Sequence, residues 1–293
     1  MAGNVVAKLM FGETFGMTQD GKPVQLFKSL QYTTFAGLFA CKFRTLYHIL
    51  KQVPAIKRRF FSGNKDLLSY GQAAIQNSST KSTSKNIFSQ ITAEAEDDKT
   101  SLTKEEIVLH AGTFLFAGMD TTATTMTFLI WAVLSDPILQ EEARRRRRHL
   151  RLYGAAPAAL PRVTPPEGGA TLGGYQIAAE TVVNTQAWSA HRDPSVWPEP
   201  EKFDQKRWLV ESFEKREDIK AVWSPFGPGT RVCIGLNLAY MELRIATATF
   251  FRECRGAKLA ASTTVESMQV GEHFSHRAEG PCHACKVILP VDR

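Results

Sequence analysis

The sequence lacks the marks of an exported chain. Met1-Ala-Gly-Asn-Val-Val opens without a basic segment and a long apolar one, so no signal peptide is expected. Cysteine is sparse and odd in number: Cys41, Cys233, Cys254, Cys282 and Cys285. That excludes a disulfide scaffold and suggests reduced thiols, one of them available as a ligand. Cys282-His-Ala-Cys285 has metal-like spacing, but no second pair accompanies it, so zinc remains the lesser reading. Internal repeats are absent. Acidic residues are short, with 29 Asp and Glu against 36 Lys and Arg, a net charge of +7. Five of those cations form one run, Arg144 to Arg148, so the surplus is mostly local. Such a run is usually a solvated face, and no nucleic-acid partner is expected.

What remains is globular. Apolar residues make up 43% and charged residues 22%, which excludes collagen-like and disordered classes. Eighteen Phe and five Trp supply bulk for a sizeable core. A length of 293 residues fits one large domain or two ordinary ones.

One stretch, from Ala111 to Leu134, is long enough to span a bilayer. It also holds Asp120 and six threonines, and a carboxylate at mid-bilayer is expensive. A buried helix through a large soluble domain is the better reading. Thr103-Lys-Glu-Glu106 is a capping box that would open it, and Asp136-Pro137 would end it. Upstream, residues 3–18, two pieces within 25–60, and 65–77 read as helical. Gly21-Lys22-Pro23 reads as a turn, and 78–101 as a polar tract with a loop. Downstream, Ala170–Leu172, Tyr175–Ile177 and Thr181–Thr185 read as strands, with Gly173-Gly174 as a hairpin turn. Residues 192–232 read as loop, Leu236–Glu253 as helix and Lys286–Leu289 as a β-like end. Helices outnumber strands, so the class is mainly α with small β-sheets.

The strongest chemical signal is Phe226-Gly-Pro-Gly-Thr-Arg-Val-Cys233-Ile-Gly235. Glycines and proline let backbone approach a large flat ligand. The cysteine stands just before a helix N-terminus, where N–H groups and the dipole favour a thiolate. Arg231 could meet an acidic cofactor edge. On spacing alone, a buried loop cysteine beside a surface arginine fits equally well.

The segment resembles the haem-binding loop of cytochrome P450 enzymes at Phe226, Gly229, Arg231, Cys233 and Gly235. The resemblance implies heme b with Cys233 as its axial thiolate, Phe226 beside the sulfur and Arg231 at a haem propionate. A thiolate ligand favours O–O cleavage. Ala117-Gly118-Met119-Asp120-Thr121-Thr122 resembles the family's oxygen-activation motif. Asp120 and Thr121 would then relay protons, and Gly118 would leave room for oxygen. A back-bonding hydroxyl would open the helix there and admit water. Phe114, Ala117 and Thr121 would face the pocket.

Two further stretches resemble the family. Leu150-Arg-Leu-Tyr153 with Leu160-Pro-Arg162 is similar to the helix before its first sheet, and Arg162 would reach a propionate. Ala187-Trp-Ser-Ala-His191-Arg192-Asp193-Pro194 and Phe203 to Trp208 are similar to the loop before the haem segment. The resemblance covers nearly the whole chain and is nearest to fungal members. It implies the C-terminal part of the P450 fold: a helical segment at 1–103, a long oxygen-activating helix at 104–135, and sheet, haem loop and final helix at 136–293. It implies a monooxygenase of fungal secondary metabolism, with polyketides or terpenoids as the substrate guess. Its partners would be a small hydrophobic substrate, dioxygen and an NADPH-cytochrome reductase. Relatives sit at the endoplasmic reticulum membrane; with no anchor in this chain, a cytoplasmic or peripheral place is the other expectation.

Three departures stand out. The chain starts midway through the family's helical half, so part of the distal wall is expected to be missing. The family's Glu-x-x-Arg has Arg151 as its arginine, but Arg148 stands where the glutamate belongs. That glutamate would pair with Arg151 and Arg207, and losing the acid of a buried network typically costs about 3–5 kcal/mol. Finally, the stretch between Asp120 and Arg151 is too short for the two helices the family places there. A deletion or mis-joined exon at the arginine run would explain the last two. Two other readings therefore stand beside the enzyme: an inactive remnant without haem, and a small zinc or nucleic-acid module.

Overall fold

A computed structural model describes residues 1–14, 36, 39–40, 43–60, 68–69, 71–73, 75–76, 86–97, 102–136, 150–202, 207, 216–268, 270–273, 275–278 and 287–289. The chain forms two compact units, Met1–Thr124 and Thr125–Arg293. Their boundary falls inside the long helix rather than at either of its ends. The expected turn at Gly21–Pro23, the run Arg144–Arg148, and Cys41, Cys282 and Cys285 lie outside the described residues.

The N-terminal unit is helical. Helix α1 (Ala2–Phe11) stops at Gly12, whose φ of 81° turns the chain while its N–H caps Lys8 O at 2.9 Å. Helices α2 (Arg44–Gln52) and α3 (Pro54–Phe60) part at Val53, because a proline is tolerated only in a helix's first turn. Helix α4 (Ile87–Asp97) lies in the tract expected to be polar with a loop. Asn86 starts it: Ser89 N donates to Asn86 Oδ1 at 2.8 Å, and Asn86 N to Ser89 Oγ at 3.1 Å.

Helix α5 (Lys104–Ser135) is the long helix, 32 residues without a break. Its capping box forms as the sequence predicts. Thr103 N donates to Glu106 Oε2 at 2.8 Å, and Glu106 N donates to Thr103 Oγ1 at 3.2 Å. Those bonds hold the Glu106 carboxyl below its usual range. The helix's buried face in this unit carries Ile107, Ala111, Leu115 and Met119. Phe88 joins it, stacked on Phe11 with centroids 5.1 Å apart and edge-on to Phe114 at 6.0 Å.

The C-terminal unit carries the small sheets. After α6 (Leu150–Tyr153), β1 (Ala159–Val163) pairs antiparallel with β4 (Val182–Gln186), and β2 (Ala170–Leu172) pairs with β3 (Tyr175–Ile177). The β2–β3 turn is Gly173-Gly174, as predicted. Strand β1 is a strand the alternation did not announce, because Pro161 sits within it; a two-stranded sheet leaves an edge where proline is tolerated. Helices α7 (Ala187–Ala190) and α8 (Glu217–Val222) are short, and α8 interrupts the tract expected to be loop. Helix α9 (Leu236–Glu253) has the bounds read from the sequence. Strand β5 (Lys258–Leu259) pairs with β8 (Val287–Ile288), and β6 (Val270–His273) with β7 (Ser275–Ala278). Phe128 on the far end of α5 stacks on Tyr153 at 5.0 Å and packs with Met268 and Trp131. The architecture is mainly α with small antiparallel sheets. Among the described residues, no helix is long and apolar enough to cross a membrane.

Candidate functional site

The cysteine loop is held by its own backbone. Gly227 N donates to Ser224 O at 3.0 Å, Val232 N to Gly229 O at 3.1 Å, and Cys233 N to Phe226 O at 2.9 Å. Gly227 and Gly229 have φ of 77° and 73°, a left-handed conformation that side-chain-bearing residues avoid. Leu236 N then donates to Cys233 O at 3.2 Å, and α9 begins. The thiol therefore stands at a helix N-terminus, and Cys233 is exposed. A Cβ added to Gly235 would lie 3.7 Å from Sγ, so glycine keeps that flank of the sulfur bare.

The loop's neighbours fit a haem. Val232 is 46% exposed and Ile234 85%, both apolar, and Arg231 is exposed as well. An open thiol, apolar flanks and a cation are the donor set for a flat apolar macrocycle with an iron centre and an acidic edge. Phe226 lies on Tyr240, with centroids 5.0 Å apart. Arg162 is exposed on β1, and its Nη1 donates to Pro161 O at 2.8 Å.

Behind the loop lies a cradle that spacing did not reveal. Arg151 is 3% exposed. Its Nη1 donates to His191 O at 2.7 Å and to Pro200 O at 2.6 Å, and its Nη2 to Lys202 O at 2.9 Å. The guanidinium lies over the Trp197 ring, 5.1 Å from its centroid. Arg207 Nη2 donates to Glu199 O at 3.2 Å, and Glu199 adopts φ 50°. A strained turn at 199–202 thus aims carbonyls at two arginines, where the sequence led us to expect cations crowded around a missing acid. Arg192 covers Trp188 at 3.3 Å, donates to Leu152 O at 2.8 Å and pairs with Glu201 at 3.1 Å. His191 is 2% exposed, and its Nε2 accepts the Ser224 N–H at 3.1 Å. Burial first, then the charges of Arg151 and Arg192, push this imidazole down to about 4, against a bond to the Arg151 backbone. Trp188, Trp197 and Trp223 were the available sequence signal for this cradle.

The stretch from Ala117 to Thr122, expected to be an oxygen-activation motif, lies in the N-terminal unit. Asp120 is 7% exposed, and the half-buried Thr121 donates from Oγ1 to Ala117 O at 2.7 Å. That bond does not open the helix, which continues through the motif. Thr113 and Ser135 bond back to Leu109 and Trp131 at 2.8 Å in the same way, so the contact is ordinary helix behaviour. Ala117 is exposed, whereas Phe114 packs toward Phe88. Gly118 is not left open: a Cβ there would stand 2.4 Å from Val6 Cγ2, so α1 occupies the room. Among the described residues, no cluster of three His, Cys, Asp or Glu could hold a metal.

A model of the family described as "Cytochrome P450" matches residues 1–146 and 149–270. The cytochrome P450 monooxygenase cypX of Dothistroma septosporum is 36% identical over 307 residues, covering 94% of this chain and 60% of the relative. The monooxygenase stcB of Emericella nidulans is 35% identical over 309 residues, covering 94% and 58%. The chain thus spans about three fifths of the length of these relatives. The crystal structure of the cytochrome P450DA heme domain superposes with a TM-score of 0.75 at 18% identity, covering 99% of this chain and 66% of that one. At that identity the likeness is one of fold.

Proposed function

Because the chain belongs to the cytochrome P450 family, we propose that it is a haem-thiolate monooxygenase acting on a small hydrophobic substrate of fungal secondary metabolism. The observation that carries this reading is the exposed Cys233 thiol, held by the Cys233 N–Phe226 O bond at the mouth of α9. Bound there, haem would supply an iron centre that uses dioxygen and NADPH-derived electrons, passed on by a flavin reductase, to place one oxygen atom in the substrate.

The chain's own residues do the rest. Cys233 Sγ is the thiolate that would give its electron pair to the iron. Arg231 and Arg162 are the cations for the two acidic edges of the cofactor. Asp120 and Thr121 are the proposed proton carriers: Thr121 Oγ1 would give up its hydroxyl proton and regain one from Asp120, which would take a proton from solvent in turn. Gly118 serves helix packing in this reading, since Val6 fills its open side. The secondary-metabolic setting, with polyketides or terpenoids as the class, rests on the fungal relatives. An endoplasmic reticulum location is proposed on the same ground.

The test is the carbon monoxide spectrum of the reduced full chain, expressed with a haem supply. A strongly red-shifted main band supports thiolate ligation by Cys233. The band of a neutral-thiol or histidine complex, or no band, overturns the reading.

Two observations favour a second reading. The family match breaks at 147–148, inside the arginine run. The cypX alignment, at 307 residues, is also longer than this chain. Both fit an internal deletion that leaves the motif without a working site. Sequencing the transcript separates the cases: a longer intact message supports a mis-joined gene model, and a message matching this chain removes that explanation.

A further inference from the structure

We infer that His191 is a positioning residue that latches the start of the cysteine loop through the Ser224 N–H. The inference rests on the reading of Cys233 as ligand and adds a part to that site. A backbone N–H can donate only to a bare lone pair, so the 3.1 Å contact requires Nε2 to be unprotonated. The ring has little freedom to leave. It stacks on Trp223 at 4.9 Å, Trp223 meets Trp197 edge-on at 6.4 Å, and Trp197 Nε1 donates to Ala190 O at 3.0 Å. The backbone carbonyl of His191 is itself held by Arg151 at 2.7 Å.

From the latch the path to the sulfur is short. Ser224 O accepts Gly227 N, and Phe226 O accepts Cys233 N. The imidazole thus fixes the first residue of a loop whose remaining bonds fix the last. Burial and the charged groups around it keep the acceptor free. Arg151 approaches from α6 and Arg192 is its chain neighbour, both cations; Glu201 is engaged with Arg192, and the half-buried Tyr153 lies beside that pair. Burial first, and then the two guanidinium groups, oppose an imidazolium, so the lone pair is available at neutral pH. A ring needed only for packing would work equally well as phenylalanine.

Two substitutions in the full chain separate the roles. His191→Phe keeps an aromatic ring and removes the acceptor, whereas His191→Gln keeps an acceptor oxygen. The readout is hydrogen exchange at the Ser224 amide, with alkylation of Cys233 as a second probe. Wild type is expected to protect the amide, H191F to speed its exchange at least about tenfold, and H191Q to stay within about threefold of wild type. In parallel, lowering the pH towards 4 should strip the protection from wild type and spare H191Q. Free-peptide exchange at Ser224 in wild type overturns the latch, as does equal behaviour of H191F and H191Q. If H191F does not fold, the acid-dependent difference between wild type and H191Q decides: its presence supports the latch and its absence overturns it. These readouts need no haem. A wild-type chain with a protected Ser224 and no thiolate-type band would therefore remove the proposed function and leave the latch standing.

Discussion

In the N-terminal unit, helices meet through apolar side chains and through the bare flank of Gly118, which Val6 covers. The C-terminal unit is organised around a buried cation, Arg151, gripped by carbonyls from positions 191, 200 and 202. One region depends on shape, so a missing methyl or an extra one is what disturbs it. The other depends on polar groups that must each find a partner, so losing a single donor leaves several acceptors stranded. The cysteine loop belongs to the second kind of region, and its geometry inherits that all-or-none character.

The sharpest separation of the two regions comes from Cys233→Ser. It should abolish the thiolate-type carbon monoxide band completely while leaving the helical circular dichroism unchanged. Next, Arg151→Met strips three carbonyls of their donor and should destabilise the chain by about 3–5 kcal/mol in urea unfolding. Loss below about 1 kcal/mol would place the grip elsewhere.

Acid should act on the same region. His191 sits near 4 in the folded chain against an ordinary value of 6.5. The unfolded chain therefore binds the proton first, and stability falls as pH drops from about 6.5 to about 4, by on the order of 2–3 kcal/mol. His191→Gln should flatten that slope, read as urea midpoint against pH.

In the N-terminal unit the probe is steric. Gly118→Ala should cost about 1–2 kcal/mol despite alanine's better helix propensity. In the Gly118→Ala/Val6→Ala pair, coupling of about 1 kcal/mol in alanine's favour should appear, because the two sites touch. Additive losses would break the shape-against-polarity contrast. Smallest, Thr103→Ala removes one half of the capping box and should cost about 1 kcal/mol of thermal stability.

What could be read from the residues follows the same division. The capping box at Thr103–Glu106, the Gly173-Gly174 turn, helix Leu236–Glu253 and the glycine-rich cysteine loop are local, and neighbouring residues fix each of them. Helix α4 was hidden by a Ser-, Thr- and Lys-rich approach, although Asn86 and Ser89 cap it. Strand β1 was hidden by its proline. Gly118 invited a chemical role because a mid-helix glycine breaks a local rule, and its partner Val6 lies more than a hundred positions away. The carbonyls of the Arg151 grip are the extreme case. Backbone acceptors 40 to 51 positions distant leave no mark on side-chain spacing, so the missing glutamate looked like an unanswered charge.

The aromatic wall of the cradle also has an optical meaning. All five tryptophans, at positions 131, 188, 197, 208 and 223, fall after Thr124, and none falls before it. Indole fluorescence therefore watches only the C-terminal unit. Trp223 stacks on His191 and Trp188 lies under Arg192, so the surroundings of both indoles change when the cradle opens. Tyrosines are divided evenly, at positions 32, 47 and 70 before Thr124 and 153, 175 and 240 after it, so only the indole signal belongs to one unit. The chain thus carries its own optical report of when the C-terminal half gives way.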